Sequence, residues 1–199
     1  RRADYVLTPA GKRRFDEASR HIYASHAPVW DRRWRLILAV GELDPKEREN
    51  LRGALFWQGF GMLDNACFIH PSADLRTAFD ALVAEGLSGL LGKLMPLLAA
   101  ESRFDLSASD AELVKRAWNL EALAKAYEDF VATYLGILAE LRRDRHAEIE
   151  PEAAFLLRTL LIHDYRRLLL RDPELPDVLL PADWPGQQAR LLCRELYRR

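Results

Sequence analysis

The chain has few of the residues and patterns that mark specialised classes. Its two cysteines, Cys67 and Cys193, lie far apart, and no CxxC occurs, which excludes a zinc ribbon and a disulfide scaffold and points to a reduced, cytoplasmic setting. No apolar run approaches the roughly 20 residues of a membrane span. The opening stretch, RRADYVLTPAG, has two arginines but no apolar core of a signal peptide. There is no basic excess: 29 Lys and Arg against 30 Asp and Glu give a net charge of −1, unlike a free-standing nucleic-acid binder. GxSxG, HExxH, GxGxxG and Walker loops are all missing, so catalysis has no motif to rest on, and no resident cofactor is expected.

What remains is an ordinary apolar fraction on 199 residues, enough for one large domain or two small ones. Thr8-Pro9 predicts a helix start, a hydroxyl cap followed by proline in the first turn, running to about Tyr23. WRLILAV, residues 34–40, reads as a buried strand. Asp44-Pro45-x-Glu47 reads as a capping box opening a helix with Leu51, Ala54 and Leu55 inward and Gly59 as its stop. Two short apolar runs around Asp64-Asn65 predict a hairpin. A helix over ADLRTAFDALVAEG should turn Leu75, Phe79, Leu82 and Val83 inward, and LSGLLGKLMPLL reads as a last strand despite its glycines. The order β-α-β-β-α-β over residues 34–96 is ferredoxin-like.

From residue 109 onward only helical patterns occur. Leu113, Ala117, Leu120, Ala124, Tyr127, Val131, Tyr134, Leu138 and Leu141 alternate by four and three, a heptad seam that packs either within the domain or on a second copy. Asn119 is a place where this stretch can break into two helices. The next helix, PEAAFLLRTLLIHDYRRLLLR, is apolar almost all round and is expected to be the central buried helix. One strip of it is polar: Thr159, His163, Arg166 and Arg167 fall on one side at the helical period. Four prolines (Pro173, Pro176, Pro181 and Pro185) then stop it, before a last helix beginning near Gly186.

Three groups of residues carry chemistry. Arg166 and Arg167, with His163 and Trp184 nearby in sequence, either pair with Asp164, Asp172, Glu174 or Asp183 or bind an anionic ligand, for which paired guanidinium groups are well suited. In WDRRWRLIL, residues 30–38, Trp34 is either core or a platform for an aromatic ligand, with Arg33 and Arg35 on the opposite face of the strand. Cys67-x-x-His70 has ligand-like spacing but is a single pair in a strand, and reads as core and strand end.

WDRRWRLIL, LRGALFWQGFGML, WNLEALAKAYEDF and AFLLRTLLIHDYRRLLLRDPELPDVLLPADWPGQQAR, in that order over nearly the whole chain, strongly resemble the PaaX family of bacterial transcriptional repressors of phenylacetate catabolism. The resemblance implies an α+β chain: the end of a wing and a linker helix over residues 1–29, a Cas2-like ferredoxin-like domain over 30–100 and a helical C-terminal domain over 101–199. It implies a homodimer and an aryl-acyl-CoA inducer such as phenylacetyl-CoA. Operator DNA would be bound by an N-terminal winged helix lying outside the sequence, so that the chain is a fragment. The metal-binding Asp that Cas2 proteins carry at the end of their first strand has no counterpart at Ala39-Val40-Gly41, which argues against a nuclease. Phosphates of the inducer would meet Arg166, Arg167, Arg32, Arg33 or Arg52, and its rings Trp34, Trp57 or Trp184, at a site expected between the two domains. A ligand-free oligomerisation module is the alternative, favoured by the heptad seam.

Overall fold

In a computed structural model of the chain, the described residues are 8, 11, 12, 15, 29–100, 109–143 and 150–198. Thr8 caps as its sequence predicts, its hydroxyl accepting from the Gly11 amide at 3.0 Å. Most of the helix expected to follow, and the expected wing strand before it, lie outside the described residues. Two compact units are present. The first comprises residues 1–118 with Pro173–Leu180; the second comprises Asn119–Asp172 with Pro181–Arg199.

In the first unit the strands are β1 (Arg33–Ala39), β2 (Gly61–Asp64), β3 (Cys67–His70) and β4 (Leu94–Ala100). They form one antiparallel sheet in the order β2-β3-β1-β4, the ferredoxin-like arrangement. Helices α1 (Pro45–Trp57) and α2 (Leu75–Ala84) complete the βαββαβ order. The capping box of α1 is formed: the Asp44 carboxylate accepts from the Glu47 amide at 2.7 Å, and the Glu47 carboxylate accepts from the Asp44 amide at 3.0 Å. Such a cap contributes about 1 kcal/mol. Gly59 follows α1 at φ +84°, where an L side chain would be strained.

Side chains alternate across a strand, so Ile37 and Trp34 look to opposite faces of the sheet. The Ile37 side carries the main core, with Leu51 and Leu55 from α1, Ala78 and Leu82 from α2, and Phe68 from β3. Of the four residues of α2 expected inward, Leu82 is fully buried and Leu75 and Phe79 pack partly buried against the core, with Ala78 beside them; Val83, at the edge of that stripe, is 48% exposed. LSGLLGKLMPLL is not strand throughout: its first half, Ser88–Lys93, is a 3-10 helix and the strand begins at Leu94. The glycines there sit in the tight helical turns.

On the Trp34 side, α3 (Asp110–Ala117) packs against β2. The Trp34 indole N–H donates to Asp110 at 2.9 Å, and its ring lies 6.4 Å from that of Trp118 and 5.3 Å from that of Trp30. Trp118 in turn donates to the Gly59 carbonyl at 3.0 Å. Gly61 permits this approach, since a Cβ there would fall 2.6 Å from the Trp118 ring. The proline-rich segment Pro173–Leu180 belongs with this unit, burying Leu175, Pro176 and Leu179.

The second unit consists of α4 (Leu120–Arg143), α5 (Pro151–Leu169) and α6 (Gly186–Arg198). The long helical pattern breaks at Trp118-Asn119, where the Asn119 side chain accepts from the Ala122 amide at 3.1 Å. The seam residues Tyr127, Val131, Tyr134 and Leu138 are buried inside the unit, against Leu161 and Leu168 of α5 and Ala189, Leu192, Cys193 and Leu196 of α6. Thus α4 is the central helix, and α5, expected in that place, is peripheral. Only Leu161, Leu168 and Leu169 of α5 are buried, while Phe155, Leu156 and Leu160 are mostly exposed. Among the described residues of this unit, α4 and α6 flank α5 and cover one strip of its surface, and its other large apolar residues are exposed.

Candidate functional site: a cationic groove on α5

The polar strip predicted from helical period is real and opens onto a groove of about 650 Å³. Phe155, Arg158 or Thr159, Ile162 or His163, and Arg166 or Arg167 recur every three or four residues, which places them along one face of α5. Tyr197, from the last turn of α6, forms the other wall. The two helices are tied at this wall by Arg158, whose Nε donates to the Tyr197 carbonyl at 3.2 Å. His163, Arg166 and Arg167 are exposed rather than buried, so no buried-charge cost has to be offset by partners.

Two of the carboxylates considered as arginine partners are engaged by tyrosines. Asp164 accepts from the Tyr134 hydroxyl at 2.8 Å and Asp172 from the Tyr127 hydroxyl at 2.7 Å. Burial first, and then the adjacent carboxylate, push both phenols far above the ordinary tyrosine range, so each remains a donor. The position of Arg166 and Arg167 in the last turn of α5 also complements the helix dipole. The dipole accounts for cations at that end. It does not account for the aromatic side chains left in the open along the same groove.

The other expected site residues stand elsewhere. Trp34 is 4% exposed, its indole committed to Asp110 and to neighbouring tryptophans. Arg32 and Arg33 are exposed at the start of β1, Arg32 with a left-handed φ of 58°. Arg52 pairs with Glu49 at 2.8 Å on the surface of α1, and Trp57 is half-buried as the last residue of that helix. Trp184 is partly buried, edge-on to Tyr127 at 5.9 Å, and lines a separate hollow of about 470 Å³ between α4 and α6. Of the expected residues, the structure therefore gathers His163, Arg166 and Arg167 in one groove. It adds Phe155, Arg158 and Tyr197, which sequence reasoning passed over. Phe155 and Arg158 were legible from the same period as the polar strip; Tyr197 was not, because it arrives from another helix.

Among the described residues no three metal-ligating side chains converge, and no helix is long and apolar enough to cross a membrane. His70 is turned to the strand end, its Nδ1 accepting from the amides of Ser72 and Ala73 at 2.9 and 2.7 Å.

A Cas2-like four-stranded unit followed by a helical unit makes this a mixed α+β protein of two parts. Residues 27–90 match the PaaX protein central Cas2-like domain, and residues 118–199 match the PaaX-like protein C-terminal domain. The chain belongs to the PaaX family. It is 36% identical over 202 positions to the transcriptional repressor PaaX of Escherichia coli (strain K12), an alignment that takes in the whole chain and 61% of that protein. The chain thus spans about 61% of the length of this curated relative. The uncharacterized protein Rv0674 from Mycobacterium tuberculosis shares the fold, with a TM-score of 0.59 at 21% identity over 98% of this chain and 70% of that one.

Proposed function

We propose that the chain is the effector-sensing and dimerising portion of a cytoplasmic transcriptional repressor of aromatic (phenylacetate) catabolism, and that an aryl-acyl-CoA such as phenylacetyl-CoA releases the repressor from operator DNA. The observation that carries this reading is the groove on α5, which Arg166, Arg167 and His163 line together with exposed aromatic rings. Phosphate groups and a guanidinium pair match in charge and in planar hydrogen-bond geometry, and an aromatic acyl group matches the rings. The family relationship supports the regulatory role. Free phenylacetate, with a single carboxylate, would use only one end of such a groove, so the ester is the better occupant. Kinship with a transcriptional repressor supports a regulator rather than an enzyme.

The test is operator release by the full-length protein. In a gel-shift titration, wild type should leave its operator as phenylacetyl-CoA is added. A variant with Arg166→Ala and Arg167→Ala should bind the operator normally and stay bound. Normal release of that variant would place the effector away from this groove.

A further inference from the structure

Phe155 is 68% exposed and Tyr197 is 53% exposed, although both are large apolar side chains on opposite walls of one groove. Scattered exposed aromatics need no explanation, but two that line one groove with five cationic or polar side chains form a surface with chemical direction. That direction follows the axis of α5. Phe155 lies in the second turn of the helix, and the Arg158 link to the Tyr197 carbonyl fixes Tyr197 at the same end. Arg166 and Arg167 lie in the last turn. At about 1.5 Å per residue, Phe155 and Arg166 are roughly 16 Å apart along the axis. The groove therefore has an aromatic end and a cationic end, separated by Thr159, Ile162 and His163.

We infer that the groove orients its ligand and reads the acyl group: the aryl ring seats between Phe155 and Tyr197, the phosphates lie against Arg166 and Arg167, and Phe155 and Tyr197 set the preference for aromatic over short aliphatic acyl-CoA esters. This rests on the acyl-CoA reading above and adds to it which residues select the acyl group. Ring–ring contact favours an aryl group over an aliphatic one of equal carbon number, because offset and edge-to-face geometries add to area burial. Burying the two exposed rings against the ligand also removes apolar surface from water that the free protein leaves exposed. Arg158 is a positioning residue, since its bond to the α6 backbone holds the wall that carries Tyr197.

The experiment is calorimetric titration of the chain with phenylacetyl-CoA, acetyl-CoA and CoA, in wild type, Phe155→Ala, Tyr197→Ala, Arg166→Ala, and Phe155→Tyr as the conservative control. Both aromatic positions are exposed, so their alanine variants should retain the wild-type circular dichroism and melting temperature. The expected result is a roughly tenfold loss of phenylacetyl-CoA affinity in each of these two variants, equivalent to about 1.4 kcal/mol. Affinities for acetyl-CoA and CoA should be unchanged, and Phe155→Tyr should keep the wild-type preference. An unchanged ratio of phenylacetyl-CoA to acetyl-CoA affinity in these two variants, or an equal loss for all three ligands, overturns the assignment of the aromatic end. If Arg166→Ala still weakens all three ligands in that case, the acyl-CoA reading survives it. Absence of binding by wild type to any of the three overturns both.

Discussion

The hydroxyl of Tyr127 donates to the Asp172 carboxylate at 2.7 Å, joining the first third of α4 to a residue just beyond the end of α5. Tyr127 is also the ring against which Trp184 packs edge-on. One side chain thus holds the place where the chain leaves α5 and the place where it returns to begin α6.

Tyr127→Phe keeps the ring and deletes the donor. A hydrogen bond to a charged group contributes about 1.5–3 kcal/mol, and chemical denaturation should show a loss of that size. A variant as stable as wild type would mean that water or another donor replaces the phenol without cost.

Gly61→Ala tests the packing of α3 on the sheet. A Cβ at this position falls 2.6 Å from the Trp118 ring and 2.8 Å from the Ala117 carbonyl oxygen. Overpacking of this kind costs about 1–3 kcal/mol. The expected outcome is a lower melting temperature with a red-shifted tryptophan emission, as Trp118 is displaced toward solvent. Unchanged emission and stability would contradict the contact.

Cys193 supplies a pH dependence. Burial in the core of the second unit pushes its thiol up from 9.0 to about 11. The folded state therefore holds the proton more tightly than the unfolded chain. The associated stability is complete below about pH 9 and is lost as pH rises toward 11. Between those values the gap in melting temperature between wild type and Cys193→Ala should narrow as the wild type loses this contribution. A gap independent of pH across that window would show that the thiol titrates normally.

Local signals were read with most success. Asp44, Pro45 and Glu47 define a helix start through contacts within a few residues, and the structure forms the bonds they predict. The break at Asn119 is of the same kind. The polar strip on α5 was also legible, because helical period alone decides which residues share a face. The environment of that strip was not. PEAAFLLRTLLIHDYRRLLLR is apolar enough for a central helix, but hydropathy reports a preference for burial, not how many neighbours are present to satisfy it. Among the described residues of its unit, α4 and α6 pack against α5, and Phe155, Leu156 and Leu160 are left exposed. Trp34 shows the converse. Its composition suits a ligand platform, and only the position of Asp110, far along the chain, shows that its N–H is already engaged.

The measurement that decides the sensing role of the α5 groove is calorimetric titration of the chain with phenylacetyl-CoA, set beside CoA and phenylacetate and repeated on a variant carrying Arg166→Ala and Arg167→Ala. Tight saturable binding of the ester, weaker binding of CoA, no binding of phenylacetate, and a loss of at least about tenfold in the variant at unchanged melting temperature is the predicted result. Undiminished affinity in the double variant, or no heat from the ester with wild type, would contradict it.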